Sequence, residues 1–146
     1  MTYPIEPGDV LFLDTSFAIA LVAASDALHE QAEALADQIE ATRSRMITTR
    51  GVLLEIGNAL SKRKYRDSSI RLLDSIQNDS QIEIVTITDD LFFRGFRLYR
   101  SRPDKEWGLV DCISFTVMTD RRLTKALTAD EHFQQCGFQS LLRKNQ

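Results

Sequence analysis

Val10-Leu11-Phe12-Leu13-Asp14-Thr15-Ser16 is the stretch on which the fold turns. Its four apolar residues lack the alternation of a half-wetted strand, as in a strand buried on both faces of a parallel sheet. The run stops on a carboxylate followed by two hydroxyl residues. Ligands of open α/β sheets collect outside the carboxyl ends of the strands, so Asp14 stands where a site is expected. Thr15 and Ser16 suit the first turn of a following helix. The competing reading makes Asp14 no more than the cap of that helix.

Outward from this strand, helix and strand patterns alternate. Residues 17–24 read as a short buried helix. Residues 26–43 read as a helix with an apolar stripe at Leu28, Ala32, Leu35 and Ile39. Met46-Ile47-Thr48 is a strand, and Thr49 caps a helix running from Gly51 to about Lys64. The basic cluster 62–66 closes that helix, where cations suit its dipole. A helix over 68–77, a β-branched strand over 82–87 and a helix over 89–99 follow, the last broken at Arg102-Pro103. A buried helix over 109–119, a strand over 123–129 ending at Asp130, a short helix and a strand near 140–142 complete the chain. This alternation predicts a three-layer α/β/α sandwich with a central, mainly parallel sheet, built as a single domain over residues 1–146.

Composition narrows the function classes. With 43% hydrophobic and 27% charged residues and no low-complexity tract, the chain is neither disordered nor fibrous. A net charge of −3 argues against strong global attraction to nucleic acid, which leaves only local basic patches for that purpose. Cys112 and Cys136 form no CxxC or zinc-type spacing, and Cys112 reads as a small buried hydrophobe. With no leader-like or membrane-length apolar segment, the expectation is a cytoplasmic protein without membrane association.

Four acids lie where apolar neighbours would reject them. Asp14 ends the first strand, Glu55 interrupts Val52-Leu53-Leu54 and Ile56, Asp111 interrupts Leu109-Val110 and Cys112-Ile113, and Asp130 follows Ala126-Leu127-Thr128-Ala129. A buried carboxylate needs a partner: a helix N-terminus, a basic side chain or a cation. Arg50, Lys105 and Lys125 are the basic residues close by in sequence. Two carboxylates about 6 Å apart repel by roughly 3 kcal/mol at an effective dielectric near 20. A divalent cation removes that cost, and an oxygen donor set suits Mg²⁺ or Mn²⁺.

The segments 12–16, 49–60, 110–115 and 127–133 resemble, in order, the successive motifs of PIN-domain proteins, especially VapC-like toxins and their stand-alone relatives. The resemblance spans Val10 to about Leu142. It implies a Mg²⁺- or Mn²⁺-dependent endoribonuclease whose acidic quartet is Asp14, Glu55, Asp111 and Asp130. Ser16 then corresponds to the hydroxyl beside the first acid and Asn58 to the polar residue one turn after the second. The resemblance further implies an RNA substrate, a homodimer and, for a toxin, an antitoxin partner. Leu109-Val110 departs from the Ser or Thr that often precedes the third acid.

Arg50, Arg94 and Arg97 are candidate RNA contacts, with a solvated helix face as the alternative for the arginine series. His132, close after Asp130, is expected to cap or pack, with contact to the site as the alternative. His29 is expected to be structural or inert, and Trp107 to pack before the buried helix, with stacking on a base as the alternative. Asp104 is expected in an exposed turn. The early helices over 17–35 are the expected wall of a groove for a partner helix. Two other functions fit the same acids. One is a non-catalytic RNA- or protein-binding module. The other is an aspartyl-phosphate phosphotransferase or phosphatase, for which a haloacid-dehalogenase-like enzyme would place a second Asp where Ser16 stands.

Overall fold

The unbroken apolar run of the first strand lies at the centre of the sheet. A computed structural model describes residues 5–143, and the domain expected over 1–146 is followed within those limits. Among them, β1 (Val10–Leu13), β2 (Arg45–Thr49), β3 (Ile82–Val85), β4 (Lys125–Leu127) and β5 (Gln139–Ser140) form one all-parallel sheet in the order β3-β2-β1-β4-β5. The central strand is wrapped on both faces, so Leu11, Phe12 and Leu13 are all buried.

The connections explain the two outer layers. The chain steps outward from β1 to β2 and β3 through α1 (Thr15–Val22), α2 (His29–Thr42), α3 (Arg50–Ala59) and α4 (Arg63–Asn78). It then reverses, passing to β4 and β5 through α5 (Asp89–Ser101), α6 (Leu109–Asp120) and α7 (Glu131–Gln135). Right-handed crossovers put helices of the two travel directions on opposite faces. Accordingly α1 packs on α2, α3 and α4, while α6 packs on α5 and α7. The reversal falls between β1 and β4, making their shared carboxyl end the topological switch point.

Local chemistry sets the element ends. Thr49 Oγ1 accepts the Val52 N–H at 3.2 Å and Thr88 Oγ1 accepts the Leu91 N–H at 3.1 Å, capping α3 and α5. Asp26 accepts from the Leu28 N–H at 2.8 Å, forming a turn that delays α2 until His29. The helix expected from Gly51 to Lys64 ends at Ala59, and the one expected over 68–77 begins earlier, at Arg63. Leu60 is buried and turns the chain after Ala59, so the basic cluster opens α4 rather than closing α3. Its charges therefore sit at the unfavoured end of a helix dipole, where Arg66 donates to the Ser61 carbonyl and the side chains are otherwise largely in solvent.

Other readings are refined. Leu28, Leu35 and Ile39 are buried in the core, and among the described residues the exposed large apolar ones are Leu54, Ile70, Phe92, Phe93 and Tyr99. Trp107 is buried edge-on against Phe115 and donates to Gln135 Oε1 at 2.9 Å, which is packing. Cys112 is wholly buried, and Asp104 is an exposed turn residue paired with Arg102. No helix among the described residues is long and apolar enough to cross a membrane.

Two glycines test the packing. A Cβ on Gly95 would meet Ile113 Cγ1 at 2.5 Å and the Ile113 backbone at 3.1 Å, because α5 and α6 cross there in direct contact. Gly95→Ala should destabilise the fold by about 1–3 kcal/mol through overpacking. Gly57→Ala adds only an ordinary contact with Leu73 at 3.8 Å and should stabilise by roughly 0.5 kcal/mol through helix propensity. Urea unfolding of both variants reads these opposite signs.

Candidate active site

Asp14 leaves the end of β1 in extended conformation and occupies the N-cap position of α1, yet its side chain makes no capping bond to that helix's N2 or N3. The cap reading therefore fails. Its Oδ2 instead accepts from the Thr128 hydroxyl at 2.7 Å, across the switch point from just past β4. Thr128 Oγ1 also accepts the Asp130 N–H at 3.0 Å and lies 3.1 Å from Ser16 Oγ. Ser16 Oγ in turn accepts the Ala129 N–H at 2.9 Å and lies 3.4 Å from Asp14 Oδ2. Two hydroxyls thus lock the β1 and β4 exits together around one carboxylate.

The other acids arrive from three directions. Glu55 projects from the second turn of α3, where its Oε1 accepts from the Thr15 hydroxyl at 2.9 Å. Asp111 lies in the first turn of α6, with Oδ2 accepting from the Gly108 N–H at 3.1 Å. Asp130 precedes α7 and caps it through the His132 N–H at 2.9 Å. His132 Nδ1 bridges the last two, 3.1 Å from Asp111 Oδ2 and 3.2 Å from Asp130 Oδ1. Of the two readings of His132, contact with the site is the one realised, since its ring reaches into the acid cluster.

All four acids line one cavity of about 600 Å³, together with Thr15, Ser16, Ile19, Asn58, Ala59 and His132. A second cavity of about 830 Å³ shares Ser16, Ile19, Asp130 and His132 with it and continues past Ala27 and Leu28. Among the described residues, no Lys or Arg lines the acid cavity. The nearby cations lie elsewhere: Lys125 reaches Asp9 at 2.6 Å, and Arg50 reaches Gln77 at 3.4 Å on the exposed surface. Arg94, a candidate RNA contact, is paired with Asp120 of α6 at 2.8 Å and with Asp90 of its own helix at 3.0 Å. Arg97 is exposed on α5.

The electrostatics follow from this crowding. Burial pushes the Asp14 carboxyl from its ordinary 3.8 up to about 7. The Thr128 hydroxyl and Thr15 N–H oppose the rise, and the like charges of Asp111 and Glu55 add to it. Glu55 is raised, first by burial and further by Asp111 and Asp130, against the pull of the Thr15 hydroxyl. Asp111 is also raised by burial, with Gly108 and His132 opposing and Asp130 adding. Carboxylates that perturb one another in a cavity without a cationic side chain in its walls form a donor set fitted to a divalent cation. The Asp111, Asp130 and His132 donor atoms already lie within 4.8 Å of one another.

Thr15 and Thr128 escaped the sequence reading. The only signal for them was a hydroxyl beside each strand-end acid, at 14–15 and 128–130. Val110, in the place of the hydroxyl often found before the third acid, is half-buried against the core, and Asp111 takes its support from Gly108 and His132.

The PIN domain family matches residues 11–139 of the chain. The 23S rRNA-specific endonuclease VapC20 of Mycobacterium tuberculosis is 28% identical over 129 residues, covering 88% of this chain and 95% of that protein, in both strain CDC 1551 / Oshkosh and strain ATCC 25618 / H37Rv. The crystal structure of M. tuberculosis VapC20, described as a sarcin-ricin loop cleaving toxin, superposes with a TM-score of 0.77 at 26% identity, covering 88% of this chain and 95% of that one. VapBC2 from Rickettsia felis, bound to a DNA fragment from its promoter, shares the fold with a TM-score of 0.62 at 17% identity, over 93% of this chain and 99% of that one.

The raised carboxyls make a signed prediction for the metal-free protein. An acid whose folded pKa lies above its unfolded value favours the fold when protonated, and that advantage is lost as pH rises through the window between the two values. For Asp14 the window runs from 3.8 to about 7, corresponding to roughly 4 kcal/mol. Melting in EDTA should therefore drop between pH 5 and pH 8. Asp14→Asn, which keeps an acceptor for Thr128, should flatten that drop and melt higher than wild type at pH 8.

Proposed function

The chain belongs to the PIN domain family, and from that premise we propose that it is a metal-dependent endoribonuclease of the toxin type, acting as one domain on structured RNA. The observation that carries this reading is the convergence of Asp14, Glu55, Asp111 and Asp130 on one cavity that no Lys or Arg among the described residues lines. We assign these four acids to the cation, with Mg²⁺ or Mn²⁺ as the ion. When bound, that ion supplies Lewis acidity at the scissile phosphate and lowers the pKa of the attacking water.

The chain's own residues set up that chemistry. Thr128 and Ser16 fix the Asp14 carboxylate from the β4 side, and Thr15 fixes Glu55 from the β1 side. The four carboxylates are therefore aimed before an ion or substrate arrives, as preorganised catalysis requires. Asn58, one turn after Glu55 on α3, lines the same cavity and is assigned to the substrate side. The two adjoining cavities support a polymer that runs past the acids rather than a small molecule held between them. Arg50 and Arg97, both exposed, and Arg94 are assigned as phosphate contacts. The VapC20 likeness supports ribosomal RNA as the first substrate to try, and the VapBC2 likeness of fold supports an antitoxin partner; a homodimer is carried as part of the proposal.

Incubation with total structured RNA in Mn²⁺, in Mg²⁺ and in EDTA tests the proposal. Discrete cleavage is expected with either ion and none in EDTA. Asp14→Asn and Asp111→Asn should each lower the rate by about 100-fold or more. Cleavage that persists in EDTA, or survives both substitutions, contradicts it.

A further inference from the structure

We propose that His132 is a nitrogen ligand of the cation site, resting on the reading that the acid cluster holds a divalent ion, and that it biases the site toward transition ions over Mg²⁺. The geometry is specific. His132 Nδ1 lies 3.1 Å from Asp111 Oδ2 and 3.2 Å from Asp130 Oδ1. Donors about 2.0–2.2 Å from an octahedral ion and at right angles to one another lie roughly 3 Å apart. His132 Nδ1 therefore already stands at the spacing of a neighbouring ligand from each acid, and donor atoms of the three residues all lie within 4.8 Å of one another.

The ring is held in this place by more than its contacts with the acids. Its own backbone N–H is fixed by Asp130 Oδ1, and the next residue, Phe133, is wholly buried against Phe12 and Phe115. Phe133 thus anchors α7 in the core while His132 faces the cavity. An imidazole tied this closely to a carboxylate pair can also act as their hydrogen-bond partner, and the same Nδ1 serves either role. With its proton on Nε2, Nδ1 presents a lone pair to an ion lying between the two carboxylates.

The consequence concerns ion choice. Mg²⁺ takes oxygen donors and sheds its waters reluctantly, so a nitrogen donor adds little to its binding. Transition ions gain from nitrogen, increasingly along the series from Mn²⁺ to Co²⁺. A site of oxygen donors alone lacks this source of discrimination. The His132 site should prefer Mn²⁺ and Co²⁺ to Mg²⁺ by a margin that depends on this one side chain.

The test uses the full chain with Mn²⁺ alone and Mg²⁺ alone, without RNA. Calorimetry gives the two affinities for wild type, His132→Ala and His132→Asn, and pulsed electron paramagnetic resonance of bound Mn²⁺ reports nitrogen in its coordination sphere. Wild type should show imidazole nitrogen modulation, both variants should lose it, and Mn²⁺ affinity should fall by about tenfold while Mg²⁺ affinity changes by less than about threefold. Melting of the EDTA-treated variants verifies that they are folded. Mn²⁺ binding without nitrogen modulation in wild type, or equal losses for both ions, overturns the role of His132 and leaves the acid site standing. Failure of wild type to bind either ion overturns the acid site as well.

Discussion

Four carboxylates face one cavity that no Lys or Arg among the described residues lines, and much of the molecule serves to hold them there. Desolvation and mutual repulsion both oppose such a cluster. The fold answers with topology first. Reversal of strand order between β1 and β4 leaves a crevice at their carboxyl ends, and Asp14 and Asp130 leave those two strands on either side of it. Glu55 and Asp111 are then delivered by helices that begin at the same end of the sheet.

Each acid is supported by a different local device, and the devices differ in strength. Asp111 sits in the first turn of α6, where the helix dipole favours negative charge and Gly108 donates a backbone N–H. Asp130 caps α7. Glu55 lies deeper in its helix and has the Thr15 hydroxyl instead. Asp14 is the most buried of the four at 5% exposed and depends chiefly on Thr128. This ordering explains why its carboxyl is pushed up to about 7, close to neutrality. Local stability is given up at the place where chemistry is to occur, which is where such conflicts are expected.

Much of this was legible in the sequence because it depends on short-range pattern. The apolar run 10–13, the cap at Thr49, the β-branched strand at 82–85 and the acids interrupting apolar stretches are all local signals. What escaped is long-range. The Asp14–Thr128 bond joins residues 114 apart, and Thr15 finds Glu55 40 residues on. No periodicity announces such pairs. The break after Ala59 was missed because Leu60 and the helix-favouring residues beyond it continue the α3 pattern, and only burial of Leu60 turns the chain. Leu54 failed in the opposite sense: it sits in an apolar run but is 64% exposed, since the period of α3 places it on the outer face. The pairing of Arg94 with Asp120 was equally hidden, because Asp120 belongs to another helix.

The central claim is that the buried carboxyls are held for a cation, and proton release on ion binding tests it most directly. Asp14, raised to about 7, must give up its proton when an ion enters. Mn²⁺ titrated calorimetrically in buffers of different ionisation enthalpy should release about half a proton per site from Asp14 at pH 7, more at pH 6 and close to none at pH 9. Asp14→Asn should abolish that pH-dependent share. Binding with the same proton count at all three pH values would contradict the account.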